Sequence, residues 1–284
     1  MSGKTYIVTG ATGGIGKAIV KGLTERGAAR VILACRNIAK ARKLIESLQP
    51  GMTELTAMEV DLESLESVRR FAKAIAASGL SIDGLFNNAG TMPGDVILTA
   101  DGYESATQTN FLATGLLTRL LLPCMADDGA IVFTTSMTRR IARLRDDWRE
   151  RAVSHHHRFT TYGRSKLMLT HFAMDLSNEL RHRHIRVNCS DPGIVDSAII
   201  TMDNKVIDYL SDRLFRPVIS TPEQGAAPAL AAMESRLTGH IFTLSGHSPI
   251  PAGYQKQRLH PIATDAVRAL QQACEAGVPQ SRLS

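Results

Sequence analysis

Along the chain, short β-branched runs alternate with longer stretches whose apolar residues recur every three or four positions. The runs TYIVT (5–9), RVILA (30–34), TELTAMEV (53–60), IDGLFN (82–87), AIVFTT (130–135) and IRVNCS (185–190) predict strands. The intervals 15–26, 38–48, 64–78, 103–123 and 162–182 predict helices between them. Strands separated in this way form βαβ units, which need a parallel sheet with helices on both faces. The expected fold is therefore α/β, one doubly wound domain over residues 1–284 with about seven parallel strands. A last strand, HIFTL (240–244), follows a helix opened by TPEQGA (221–226), where Thr221 is placed to cap and Pro222 suits the first turn. Residues 137–160 break the rhythm.

Composition narrows the class. A chain of 284 residues that is 44% hydrophobic can bury a large core. Its net charge is +6, but the Lys and Arg residues are mixed with acids rather than stacked in blocks, which argues against nucleic acid as a partner. No apolar stretch is long enough for a transmembrane helix, and the opening MSGKTYIVTG does not resemble a secretory leader. Cys35, Cys124, Cys189 and Cys274 lack CxxC spacing, so reduced thiols in a cytoplasmic protein are expected. His155, His156 and His157 are adjacent, point in different directions and lack acid or cysteine partners, so no metal site is expected. Met125, Met168 and Met174 read as core, while Trp148 suits either a lid anchor or a hydrophobic peg.

The first strand runs into TGATGGIG (Thr9–Gly16), which opens a helix. Gly10 allows the sharp turn, Gly14 lets backbone approach a pyrophosphate, and Gly16 lets helix and strand pack closely. Helix amides then offer donors at a positive dipole end, so a Rossmann-type dinucleotide site is expected, with Thr12 and Ile15 of the same turn among its contacts. The second strand ends Ala34-Cys35-Arg36-Asn37 without an acid for a ribose 2′-hydroxyl. Arg36, with Asn37 beside it, could instead fork onto a 2′-phosphate, which points to NADP; the alternative is a solvated surface arginine.

Together TGATGGIG, Asp61-Leu62, Asn87-Asn88-Ala89-Gly90, Asn110, Ser136, Tyr162-Gly-Arg-Ser-Lys166 and Pro192-Gly193 resemble the short-chain dehydrogenase/reductase family, in family order. The resemblance implies that Asp61 and Leu62 flank the adenine and that Asn88, Ala89 and Gly90 line the central cleft. It puts Pro192, Gly193 and Val195 on the nicotinamide side, with Ser197 where the family usually carries Thr. Asn110 would bend its helix and order a water that relays protons from Lys166. The phrases ILACRN (32–37), VDLESLESVRRFA (60–72), LTADGYE (98–104) and TPEQGA are similar to the retinol dehydrogenase and protochlorophyllide reductase branch, which implies an apolar or bulky carbonyl substrate.

The residues support that chemistry on physical grounds. Tyr162 and Lys166 lie four apart in a helix pattern and share a face. A free phenol loses its proton near pH ~10, and an ammonium one turn away favours the phenolate. Ser136 follows a strand at the carboxyl edge of the sheet, where its hydroxyl can hold a substrate oxygen beside Tyr162. Hydride transfer between NADP(H) and a carbonyl or alcohol is the expected reaction, with Tyr162 as acid/base. Reduction of a conjugated C=C bond and a non-catalytic NADP-binding sensor are the alternatives.

Between Ser136 and Tyr162 lie 25 residues with seven arginines against three acids. This segment reads either as a solvated helix around 145–153 or as a lid. The mostly apolar segment 196–216 is expected to cover a hydrophobic small-molecule substrate. Helices 103–123 and 162–182 form a dimer seam in relatives, which implies a homodimer or homotetramer.

Overall fold

A computed structural model describes residues 1–48, 51–194, 220–251 and 260–275. Its strands are β1 (Thr5–Thr9), β2 (Arg30–Cys35), β3 (Glu54–Glu59), β4 (Ile82–Asn87), β5 (Met125–Thr134), β6 (Arg186–Ser190), β7 (His240–Thr243) and β8 (Gly246–Pro249). Among the described residues they form one eight-stranded sheet in the order β3-β2-β1-β4-β5-β6-β7-β8. The first seven pair in parallel, as expected; β8 folds back antiparallel on β7. Sequence patterning missed β8 because its residues Gly246 to Pro249 are exposed and carry no apolar alternation. The order reverses beside β1, whose neighbours are β2 and β4, and this reversal opens the crevice where doubly wound sheets bind ligands.

The helices are α1 (Gly14–Glu25), α2 (Ile38–Ser47), α3 (Leu65–Ala77), α4 (Ser105–Thr107), α5 (Ala113–Leu121), α6 (Trp148–Ser154), α7 (Arg158–Glu179), α8 (Pro222–Glu234) and α9 (His260–Glu275) in our numbering. Alternating residues of β1 divide between two cores: Tyr6 and Val8 join α1, α2 and α8, while Ile7 joins α3, α5, α7 and α9. Thr221 and Gln224 close a reciprocal capping box at the start of α8, with Pro222 in its first turn.

The patterned helix 103–123 is divided: a five-residue π-turn, Gln108–Leu112, joins α4 to α5. The patterned strand at 130–135 begins earlier, because Met125 pairs with Ile82 before the register shifts. Within 137–160, a 3-10 turn spans Met137–Arg140 and α6 follows at Trp148–Ser154. Trp148 is buried edge-on against Phe111, with ring centres 6.3 Å apart. It is the hydrophobic peg of the two readings.

Helix α9 lies across α5 and α7. A Cβ on Gly115 would stand 2.7 Å from Val267 Cγ2, so the close approach of α5 and α9 requires glycine there. Arg119 of α5 forks onto Glu179 of α7, and Arg268 of α9 reaches the same carboxylate at 3.6 Å. Among the described residues no helix is long and apolar enough to cross a membrane.

Candidate active site

The glycine turn is shaped by close approach. Gly10 has φ +63°, and a Cβ there would meet the Ala89 Cα at 2.9 Å. At Gly16 a Cβ would fall 2.1 Å from the Gly10 carbonyl oxygen. Gly14 differs: its nearest neighbour would be Pro222 at 3.5 Å, an ordinary contact, so the fold itself does not demand glycine there. Helix α1 starts at Gly13 without a capping side chain and with no acid in its first turn, which leaves its N-terminal amides to a ligand. Thr12 and Ile15 are half-buried in the same turn. Asn88 fastens the turn to the end of β4: its Nδ2 donates to the Thr9 carbonyl at 3.0 Å, and its main-chain N–H donates to Thr9 Oγ1 at 3.0 Å.

At the other end of the crevice, Arg36 is exposed and donates from Nη1 to Glu63 Oε2 at 3.0 Å. Glu63 Oε1 accepts from Ser105 Oγ at 2.6 Å. An acid thus stands beside Arg36 after all, delivered by the turn after β3 rather than by β2. Asn37 caps α2, its Oδ1 accepting from the Lys40 N–H at 2.8 Å. Asp61 Oδ1 accepts from the Glu63 N–H at 3.0 Å, and Leu62 is buried.

Four predicted catalytic residues converge. Ser136 lies two residues past the end of β5, and its Oγ accepts from Thr138 Oγ1 at 3.1 Å. Tyr162 lies near the start of α7, close enough to Ser136 for the serine side chain to act on its phenol. Part of its ring stays accessible, yet burial of the hydroxyl dominates and pushes the phenol up to about 12; the Ser136 side chain pulls the other way. Lys166 is buried, with Nζ 5.7 Å from the Tyr162 ring centre and donating to the Thr134 carbonyl at 2.8 Å. Burial brings its ammonium down to about 8. The lowering of the phenol expected from Lys166 is not seen in the chain alone, where burial raises it.

Asn110 sits in the π-turn. Its Oδ1 accepts from the Thr91 N–H at 2.8 Å, and its Nδ2 donates to the Thr91 carbonyl at 2.9 Å and to Ser165 Oγ at 3.0 Å. That side chain braces α7. A Cβ on Gly90 would press on both Asn110 Oδ1 and Lys166 Nζ at 3.3 Å, so Gly90 gives both their room. Gly193 has φ +73° beside Pro192. Val195, Ser197 and the segment 196–216 lie outside the described residues.

Sequence reasoning missed Glu63, Ser165 and the buried pair Arg139–Asp191, which joins the turns after β5 and β6. None of these carries a local spacing signal; each matters only through a partner distant in sequence. Exposed apolar side chains lie within five residues of site residues along the chain: Met137 and Ile141 after Ser136, Phe159 before Tyr162 and Ile194 after Gly193.

Residues 4–206 match the sequence profile of a family described as short chain dehydrogenase. Human (Homo sapiens) retinol dehydrogenase 11 is 32% identical over 251 residues, which covers 87% of this chain and 77% of that one. Mouse (Mus musculus) polyprenol dehydrogenase is 34% identical over 235 residues, covering 79% and 69%. The fold is also that of a short chain dehydrogenase from Burkholderia cenocepacia J2315, solved in complex with NADP, with a TM-score of 0.69 and 24% identity over 85% of this chain and 96% of that one.

Proposed function

The chain belongs to the short chain dehydrogenase family, and from that premise we propose that it is an NADP(H)-dependent oxidoreductase acting on the carbonyl or alcohol of an apolar or bulky substrate. The observation that carries the reading is the convergence of Tyr162 and Ser136 with the Lys166 ammonium, buried 5.7 Å from the phenol ring.

The residues present fit the cofactor. The turn from Gly10 through Thr12, Gly14 and Ile15 to Gly16 would receive the pyrophosphate at the uncapped N-terminus of α1. Asp61 and Leu62 would border the adenine, Asn88, Ala89 and Gly90 the central cleft, and Pro192 and Gly193 the nicotinamide. Arg36 would meet the 2′-phosphate by exchanging Glu63 for it. Lys166 would hold the nicotinamide ribose hydroxyls. When bound, the cofactor supplies or accepts the hydride.

In reduction, Ser136 holds the substrate oxygen and Tyr162 delivers a proton to it. Burial suits this direction: a phenol pushed up to about 12 is fully protonated at neutral pH. Alcohol oxidation requires the phenolate and is favoured as pH rises.

Support for an apolar substrate comes from the exposed Met137, Ile141, Phe159 and Ile194, close in sequence to site residues, and from relatives named for retinol and polyprenol.

The test is a panel of lipophilic aldehydes, ketones and enones, followed by loss of reduced-nicotinamide absorbance with NADPH and with NADH. Carbonyl reduction that disappears in Tyr162→Phe supports the reading. Turnover of enones alone would replace it with C=C reduction, and turnover of none of them would leave a nucleotide-binding protein without this chemistry.

A further inference from the structure

Between the turn bearing Ser136 and the turn bearing Pro192 and Gly193 lies an ion pair that the proposed proton and hydride transfers do not touch. Arg139 Nη1 and Asp191 Oδ2 meet at 2.6 Å, with side chains 2% and 5% exposed. The same Nη1 donates to the Ser136 carbonyl at 2.7 Å and to Thr135 Oγ1 at 3.3 Å. The other carboxylate oxygen, Oδ1, accepts from the Gly193 N–H at 3.2 Å. The Asp191 main-chain N–H is tied to the Phe242 carbonyl of β7 at 2.8 Å. Two charges taken out of water are costly, and an apolar pair would join these turns equally well, so cohesion alone does not account for them.

We propose that Arg139 and Asp191 are positioning residues: their pair fixes the Ser136 backbone against the Gly193 turn and sets the field in which Tyr162 and Lys166 hold their protons. The inference rests on the oxidoreductase reading of that site. The titratable groups around the pair are Tyr162 and Lys166 on α7 and Cys189 on β6. Asp191 pushes all three towards their protonated forms, while Arg139 and Lys166 pull the Cys189 thiol down against its burial. Removing Asp191 alone leaves the buried Arg139 cation without its partner carboxylate.

The experiment follows Lys166 directly, by NMR titration of side-chain ¹³C-labelled lysine in the full chain. The Lys166 signal is assigned by its loss in Lys166→Arg. Steady-state kinetics and melting temperature are measured on the same samples. Asp191→Asn should lower the Lys166 midpoint by on the order of one pH unit. It should also reduce kcat on the order of 10–100-fold with KM little changed, the signature of misplaced catalytic groups. The double variant Arg139→Met with Asp191→Leu should regain much of the melting temperature but not kcat, and its Lys166 midpoint should stay low. An unmoved Lys166 midpoint, or a double variant that recovers kcat along with stability, reduces the pair to a brace and overturns the proposal. If Asp191→Asn does not fold, the double variant lacks the same carboxylate and its Lys166 midpoint decides. Wild-type protein that reduces no carbonyl defeats the oxidoreductase reading instead, and the Lys166 titration still judges the pair.

Discussion

Tyr162→Phe keeps the ring and its packing and removes only the proton donor. Turnover should fall on the order of 10²–10⁴-fold, with NADPH binding by fluorescence titration near normal. Lys166 supplies a pH dependence whose sign follows from its lowered value: the ammonium is intact below about 8 and is lost above it. The kcat/KM for NADPH-dependent reduction should therefore fall as pH rises through that value, and a flat profile across it would contradict a role for the charge. The proposed cofactor choice would turn on Arg36 and Glu63, whose contact is exposed and so weak. Arg36→Ala should weaken NADPH by up to about 1.5–3 kcal/mol and leave NADH alone. Glu63→Gln should tighten NADPH by about 0.2–1 kcal/mol by releasing the guanidinium; equal effects on both cofactors would remove Arg36 from the phosphate site. The residues legible in the sequence were those with a local spacing signal, such as Tyr162 and Lys166 or the glycines of one turn, or those carried by resemblance, such as Ser136 and Asn110. Glu63 and Asp191 were illegible because their partners, Arg36 and Arg139, arrive from other crossovers.

At the scale of elements, the apolar rhythm marked strands and helices well wherever one face is buried. It failed where exposure or a local change of helical pitch removed the period, as in β8 and at Gln108–Leu112. The segment 137–160 looked irregular because its arginines hide one buried tryptophan. Trp148→Ala should cost about 3–5 kcal/mol by urea denaturation, since it leaves a hole against Phe111. Substrate preference should hardly move. A large rise in KM with unchanged stability would instead favour a lid.

For the whole molecule, the parallel sheet and its two covering layers followed from the alternation of strands and helices, but the place of α9 did not. An amphipathic helix advertises an apolar face without saying what it will cover. Here it covers α5 and α7, the helices expected from resemblance to pair with a second copy, with Val267 seated over Gly115. We therefore expect a single chain in solution by sedimentation, and self-association or aggregation once Gly115→Leu pushes α9 away. A stable wild-type dimer cross-linked through α5 would contradict this. The π-turn has a consequence at the same scale. An α-helix advances about 100° per residue, so the extra residue held in such a turn sets the angular phase between the segments on either side. Before the turn Ser105 reaches Glu63 and, through it, Arg36; within it Asn110 reaches Ser165, the neighbour of Lys166. A one-residue deletion within Gln108–Leu112 would act like slipping a tooth on a gear, turning Ser105 away from Glu63 while Asn110 loses its grip on α7. Nucleotide preference and turnover, measured separately, should then fail together.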